Sequence, residues 1–156
     1  TLNLHPTWFD LVALVRETAA RFAPSFEKAR CEVRFEFPER LEGFWDATRI
    51  EQVISNLFSN AIKFGVGAPI VVSLAARNGE ARLSVADGGI GVSAEDQPKI
   101  FERFDRGSSP AGTHGFGLGL YICREIVVAH SGKISVESEV GRGATFVVRL
   151  PMRTRG

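Results

Sequence analysis

Apolar residues recur along the chain with two different periods, and these separate the predicted helices from the predicted strands. Apolar positions three and four apart predict a helix after Asp10, whose carboxylate is placed to cap it. A second helix is predicted near Thr48, which forms a T-x-x-E capping box with Glu51. A third is predicted from Leu118 to about His130. The inner positions of the first helix are Leu11, Leu14, Val15, Ala19 and Phe22.

Strands are predicted where apolar and polar residues alternate. Asn78-Gly79 marks a hairpin turn between two of them, because both residue types tolerate positive φ. The predicted strands cover residues 2–4, 31–38, 70–77, 80–87, 132–138 and 143–151. Runs of strands that meet runs of helices favour an α+β fold, in the form of a two-layer sandwich.

Length and composition narrow the class of protein. A chain of 156 residues with 44% hydrophobic content fits one domain with one core over residues 1–156. The 19 basic and 18 acidic residues give a net charge of +1 without a basic block, which disfavours nucleic acid as a partner. Cys31 and Cys123 form neither a disulfide framework nor a C-x-x-C pair, as is typical of a reducing cytosol. No apolar run is long enough for a membrane span. The chain begins without methionine, which suggests a piece of a longer protein.

The predicted helix over residues 48–64 carries a polar face opposite its apolar stripe. Asn56, Asn60 and Lys63 fall on that face together with Arg49 and Gln52. A solvated surface explains the pattern, but asparagine is a weaker helix former than glutamate or lysine. A carboxamide oxygen suits Mg²⁺ and the lysine suits a phosphate, so a ligand site is the alternative interpretation.

Two glycine-rich segments follow. Asp87 is predicted to face inward at the end of its strand, where a buried carboxylate needs donors, and the glycines after it permit a close approach of a flat ligand. Gly115, Gly117 and Gly119 stand where the third helix begins, so their N–H groups suit an anion such as phosphate. Each segment has a plain alternative, a common Asp-Gly turn or a flexible hinge. Neither a Walker loop nor a dinucleotide fingerprint is present.

The order of these segments resembles a known family. NLFSNAIKF, DGGIG, IFERFDR and GFGLGL occur in the order of the N, G1, F and G2 boxes of the histidine-kinase ATP-binding domain, a member of the GHKL superfamily. The resemblance extends over nearly the whole chain. It implies a mixed sheet covered on one face by about three helices, with a mobile ATP lid between residues 105 and 114.

The resemblance also assigns roles at the adenine end of an ATP site. Asp87 is expected to accept from the adenine N6 amino group, directly and through a water shared with Thr145. Gly89 and Gly91 are expected to lie along the base. Two departures from the family pattern are Gly88, where asparagine is usual, and Gly65, where a small hydroxyl residue is common.

At the phosphate end, Asn60 is expected to hold Mg²⁺ with Asn56 beside it, while Lys63 and Phe64 line the phosphate side. Asn56, Lys63 and Arg106 are the expected catalytic residues. The residues expected to anchor the lid or wrap the triphosphate are Phe101, Phe104, Arg106, Gly115, Gly117, Leu118 and Gly119. His114 has no role that the resemblance supplies.

The resemblance implies transfer of the γ-phosphoryl group of Mg·ATP to a histidine on a separate dimerisation domain of the same parent protein, with a response regulator downstream. Within the superfamily, the alternatives are an ATP-hydrolysing switch and a nucleotide-binding module. The hydrolysing relatives carry glutamate at position 56, a base able to activate water, whereas this chain has Asn56. A cytoplasmic location without direct membrane contact is expected for this domain, and the anchoring of the parent is left open.

Overall fold

Three helices and seven strands make up the part of the chain that the computed structural model describes, residues 2–103 and 118–155. In chain order they are β1 Thr7–Asp10, α1 Leu11–Lys28, β2 Val33–Glu36, β3 Glu42–Trp45, α2 Ala47–Phe64, β4 Ile70–Arg77, β5 Glu80–Asp87, α3 Gly119–Ala129, β6 Lys133–Ser138 and β7 Ala144–Pro151.

The larger sheet has the strand order β2-β4-β5-β7-β6. β2 runs parallel to β4, and the remaining neighbours are antiparallel, so the sheet is mixed. The β4–β5 hairpin turns at Asn78 and Gly79, with φ of 52° and 75°, as their sequence predicts. β1 and β3 form a separate antiparallel pair.

The core lies between one face of this sheet and the helices. Leu83 and Val85 on β5 stand opposite Val148 and Phe146 on β7, and all four are buried. On the helix side, the ring of Phe58 on α2 packs edge-on against aromatic rings of α1. The predicted α+β two-layer sandwich is thereby confirmed.

Two local predictions were wrong. Residues 2–4 form no strand; the first strand is Thr7–Asp10, because that segment is the one that pairs with β3. The cap of α2 is not Thr48 but Asp46, whose Oδ1 accepts from the Arg49 backbone N–H at 3.1 Å. A carboxylate just before the first turn also interacts favourably with the helix dipole. The cap of α1 by Asp10 is confirmed, since Asp10 accepts from the Val12 N–H at 3.0 Å.

Both cysteines are buried and free, as expected for a chain without a disulfide framework. Cys31 follows α1, and Cys123 lies in α3 facing α2. Of α1, α2 and α3, none has an apolar stretch that would span a bilayer.

Candidate functional site

Six buried apolar residues hold one side of α2 against the core and thereby present its polar side outward. They are Ile50, Val53, Ile54, Leu57, Phe58 and Ala61. Asn56, Asn60 and Lys63 follow one another at steps of four and three residues, so they lie along one line of the helix. Asn56 and Asn60 are half-buried, whereas Lys63 is exposed. The Lys63 ammonium lies 5.4 Å from the centre of the Phe64 ring.

Asn56 joins this line to the start of α3. Its amide nitrogen donates to the carbonyl oxygen of Gly119, the first residue of α3, at 3.3 Å. Leu118, immediately before α3, is 48% exposed, and no described side chain caps the helix there. A helix start that lacks a side-chain cap has backbone N–H groups available to an anion.

Asp87 ends β5 on the face of the sheet that the helices cover, and it is 8% exposed. Its Oδ1 accepts from the backbone N–H of Gly89 at 2.9 Å and of Ala144 at 3.4 Å. Burial raises the pKa of the Asp87 carboxyl, and these two hydrogen bonds oppose the rise. Within residues 2–103 and 118–155, both hydrogen bonds end on Oδ1, so Oδ2 remains to accept from a ligand.

The segment after Asp87 packs directly against the end of α2. The Ile90 N–H donates to the Phe64 carbonyl at 3.2 Å. A Cβ at Gly89 would lie 1.8 Å from the same Phe64 oxygen, so only glycine fits there. A Cβ at Gly65 would lie 3.7 Å from the Asp87 Cβ. Asp87 and the end of α2 therefore belong to one site.

Ser138 and Gln97, which the sequence did not single out, hold the segment after Asp87 on the side away from α2. Ser138 Oγ accepts from the Val92 N–H at 2.7 Å and donates to the Gly143 carbonyl at 2.6 Å. The Gln97 amide donates to the carbonyls of Val92 at 3.1 Å and Ser138 at 2.9 Å. The Ser138–Val92 and Gln97–Ser138 contacts join residues 46 and 41 positions apart, so no local pattern could have revealed these two contacts.

The strand register does not support the role predicted for Thr145. Asp87 on β5 stands opposite Ala144 on β7, and directly opposed residues point to the same face of a sheet. Thr145 is paired with Ala86 and points to the face that the helices leave open. A hydroxyl on that face does not share a water with the Asp87 carboxylate.

Of the remaining predicted residues, some lie in the described part of the chain and some lie outside it. Phe101 is 9% exposed and packs edge-on against Phe146, with ring centres 6.2 Å apart. The predicted residues that lie outside the described part of the chain are Phe104, Arg106, Gly115 and Gly117, together with the proposed mobile loop 105–114 and His114.

A magnesium ion suits the donors of this site. The described residues contain no cluster of three or more His, Cys, Asp or Glu side chains placed to hold a metal. Asn56 and Asn60 contribute carboxamide oxygens on the polar face of α2. Mg²⁺ is commonly held by one or two protein oxygens together with substrate phosphates and water, so these residues fit an ion that arrives with a nucleotide.

Comparison with known proteins gives one family. Residues 45–154 match the family described as histidine kinase-, DNA gyrase B- and HSP90-like ATPase. The chain is 37% identical over 145 residues to the sensor-like histidine kinase SenX3 of Mycobacterium tuberculosis, and the match covers 91% of this chain and 35% of SenX3. The chain thus spans about a third of the length of such curated relatives.

Solved structures agree with that match. The catalytic domain of the histidine kinase ThkA superimposes with a TM-score of 0.84 at 34% identity, over 96% of this chain and 99% of that domain. ThkA in complex with the response regulator TrrA gives 0.80 at 32% identity, over 95% of this chain and 42% of that one. Full-length ShkA in complex with AMPPNP gives 0.87 at 30% identity, over 99% of this chain and 33% of ShkA.

Proposed function

Since this chain belongs to the histidine kinase-, DNA gyrase B- and HSP90-like ATPase family, we propose that it binds Mg·ATP and donates the γ-phosphoryl group to a histidine on a separate dimerisation domain. Asp87 receives the adenine amino group, and Gly89 and Gly91 lie along the base. Asn60 and Asn56 supply oxygen ligands to Mg²⁺, and Lys63 contacts the phosphates. Phe64, Phe101, Phe104, Arg106, Gly115, Gly117, Leu118 and Gly119 complete the site.

The main support for this proposal is the distance along α2 between its adenine end and its phosphate end. The adenine end is at Asp87, beside Gly65, and the phosphate end is at Asn56, where α2 meets the start of α3. At a rise of about 1.5 Å per residue, the α2 axis places Asn56 roughly 13 Å from Gly65. That span suits an extended nucleoside triphosphate, with an acceptor for an amino group at one end and a helix N-terminus for anions at the other.

Asn56 favours phosphoryl transfer to a nitrogen nucleophile over hydrolysis. A carboxamide has no basic lone pair, so it cannot take a proton from an attacking water. The neutral imidazole of an acceptor histidine brings its own lone pair and needs no such base. Phosphoryl transfer depends mainly on positioning and charge stabilisation, which bound Mg²⁺ supplies together with Lys63, Arg106 and the backbone amides of the glycine-rich segment.

The partners follow from the same chemistry. The acceptor histidine belongs to a dimerisation domain of the parent protein, and a response regulator receives the phosphoryl group afterwards. The ThkA complex with TrrA supports this kind of partner. We place the domain in the cytoplasm, where ATP is available.

Radiolabelled ATP tests the proposal. The chain alone, given ATP labelled at the γ-phosphate, is expected to bind it without labelling itself and to hydrolyse it slowly. Addition of the parent's dimerisation domain is expected to give label on that partner that is lost in acid and kept in base, as a phosphorus–nitrogen bond requires.

The controls separate this function from its alternatives. Replacement of the acceptor histidine by glutamine in the partner is expected to abolish the label, and Asp87→Asn in this chain is expected to reduce it. Stable label on this chain alone contradicts the proposal. Rapid hydrolysis without a partner favours the ATP-hydrolysing switch instead.

A further inference from the structure

We propose that Ser138 is a positioning residue, whose hydroxyl holds the Asp87 carboxylate through one peptide unit of β7, so that its Oδ2 faces the amino group of adenine. The inference deepens the proposed function and rests on it for the identity of the ligand. The position of the carboxylate itself rests only on hydrogen bonds within the fold.

Three strands meet side by side at this edge of the larger sheet. β7 lies between β5 and β6, and its first residue, Ala144, stands opposite Asp87 on one side and opposite Ser138 on the other. Directly opposed residues point to the same face of a sheet, so the three side chains share the face that the helices cover. Ala144 is 6% exposed. The carboxylate and the hydroxyl therefore flank one buried position.

A single peptide unit contacts both of these side chains. The Ser138 hydroxyl donates to the Gly143 carbonyl oxygen at 2.6 Å, and the Ala144 N–H donates to Asp87 Oδ1 at 3.4 Å. That carbonyl and that N–H belong to the same peptide unit. They point in opposite directions, because the peptide is trans and planar. The hydroxyl on β6 therefore fixes the direction in which the N–H points to the carboxylate on β5.

The backbone before this peptide unit also packs tightly against Asp87. Gly143 has a φ of 81°, and a Cβ there would lie 2.0 Å from the Asp87 carbonyl oxygen. Only glycine allows this approach. A rotation of the peptide unit would therefore move the N–H that Asp87 Oδ1 accepts, and the hydrogen bond from Ser138 opposes such a rotation.

The same hydroxyl also holds the segment that supplies the second donor to Asp87. Ser138 Oγ accepts from the Val92 N–H at 2.7 Å, three residues after Gly89, whose own N–H donates to Asp87 Oδ1 at 2.9 Å. Because the hydroxyl accepts one hydrogen bond and donates another, each bond polarises the next. Both backbone segments that donate to Oδ1 are therefore held by one hydroxyl.

Three variants test this role by nucleotide binding. Ser138→Ala removes the hydroxyl. Ser135→Ala is the matched control, because Ser135 lies on the same strand, opposite Val147, and points to the other face of the sheet. Gln97→Ala removes the hydrogen bonds to the carbonyls of Val92 and Ser138 but leaves the Ser138 hydroxyl in place, so it measures a general loosening of the region.

For each variant, the thermal midpoint is measured, together with the affinities for ATP and for purine riboside triphosphate, which lacks the amino group of adenine. In Ser138→Ala, the affinity for ATP is expected to fall by about threefold or more, the size of one weak hydrogen bond. The affinity for purine riboside triphosphate is expected to stay within about twofold of the parent, because this nucleotide offers no amino group to Asp87. Both affinities are expected to stay within about twofold in Ser135→Ala.

Two results with these variants overturn the proposal. The first is no loss in Ser138→Ala, or an equal loss for the two nucleotides. The second is an equally large loss, selective for ATP, in Gln97→Ala at a matched drop in thermal midpoint.

A further measurement needs no nucleotide. Burial raises the pKa of the Asp87 carboxyl, and the hydrogen bonds from Gly89 and Ala144 oppose the rise. Removal of the Ser138 hydroxyl weakens the bond from Ala144, so this pKa, followed by nuclear magnetic resonance, is expected to be higher in Ser138→Ala than in the parent. It is expected to be unchanged in Ser135→Ala. An unchanged pKa in Ser138→Ala overturns the proposal.

The Ala144 amide proton provides a test in the parent chain itself. It is expected to exchange with solvent at least about tenfold more slowly than the amide proton of Val140, in the exposed turn before β7. Equal exchange of the two protons overturns the proposal. A protected Ala144 amide and a Ser138-dependent pKa of Asp87, in a chain that binds neither nucleotide, contradict the proposed function and leave the positioning of the carboxylate standing.

Discussion

Two buried aspartates at opposite ends of α2 have similar exposure and opposite electrostatics. Asp46, before the first turn, is 6% exposed, and Asp87, beside the last turn, is 8% exposed. Each accepts two backbone N–H groups. The pKa of Asp46 is lowered from its usual value, whereas the pKa of Asp87 is raised.

The surroundings of the two carboxylates explain the difference. Burial acts to raise the pKa of both. At Asp46 it is outweighed by hydrogen bonds from the His5 and Arg49 N–H groups and by the charge of Arg49. Asp46 also spreads its bonds over both oxygens, with Oδ2 accepting from His5 at 2.9 Å and Oδ1 from Arg49. Asp87 directs both bonds to one oxygen and has no cation beside it in the described part of the chain.

The comparison separates a carboxylate that the fold fully uses, Asp46, from one whose surroundings support the ligand-binding role proposed for it, Asp87. Asp46 also donates its backbone N–H to His130 Nε2 at 3.0 Å, so it links the start of the chain, α2 and the end of α3. Its interactions are complete within the fold. Burial of the charged Asp87 carboxylate is unfavourable, and a hydrogen bond from a bound amino group would offset that cost. Such groups are often found at binding sites.

The largest expected effect is on nucleotide binding at Asp87. Asp87→Asn should lower ATP affinity by about tenfold or more, because a charge-assisted hydrogen bond contributes about 1.5–3 kcal/mol. Titration with a fluorescent ATP analogue measures it, and Asp46→Asn is the matched control with the same change at the other end of α2. Unchanged affinity in Asp87→Asn would rule out its role at adenine.

The next effect is on stability at Asp46. Asp46→Ala should lower the free energy of unfolding by about 1–2 kcal/mol, the range for loss of an N-cap, since the N–H groups of Arg49 and His5 lose their acceptor. Urea denaturation measures the loss. Asp46→Asn should retain most of the stability, because asparagine also caps helices. If Asp46→Ala instead weakens ATP binding with full stability, the assignment of the two aspartates is reversed.

The pH dependence of the two asparagine variants should differ in sign, with effects on the order of 1 kcal/mol. The lowered pKa of Asp46 means that its charge stabilises the fold above the unfolded pKa near 3.9, and that this stability is lost as the pH falls through the folded pKa. The raised pKa of Asp87 means that its ionised form destabilises the fold as the pH rises through the folded pKa.

Thus at neutral pH Asp46→Asn should be less stable than the parent and Asp87→Asn at least as stable, and at low pH both differences should shrink. Unfolding curves across that range measure both variants side by side. A shared sign at neutral pH would show that the two sites are electrostatically alike.

The sequence predicted the position of Asp87 correctly but not the role of Asp46. The alternation of Leu83 and Val85 was enough to place Asp87 inward, because a strand has a strict period of two. The cap of α2 was misplaced, because Thr48 and Glu51 match a capping-box motif, whereas the capping contact is made by Asp46, also a preferred capping residue, with the Arg49 N–H. The bonds of Asp46 to His5 and His130 join it to distant segments and were not predictable from a local pattern. The periodicity of a helix or strand can be predicted from the sequence, but contacts between distant segments cannot.

The smallest expected effect is that of Thr145→Ala on ATP affinity, and it tests the register of β5 and β7, which the sequence alone did not give. A register shift of one residue moves a side chain to the other face of a sheet, and the pairing of Asp87 with Ala144 puts Thr145 on the face away from the site. Thr145→Ala should therefore change ATP affinity by less than about twofold. Ala144→Val, at a position 6% exposed whose N–H donates to Asp87, should lower it by about threefold or more. A larger effect of Thr145→Ala than of Ala144→Val would restore the original prediction for Thr145 and would show that the register of β5 and β7 is shifted by one residue.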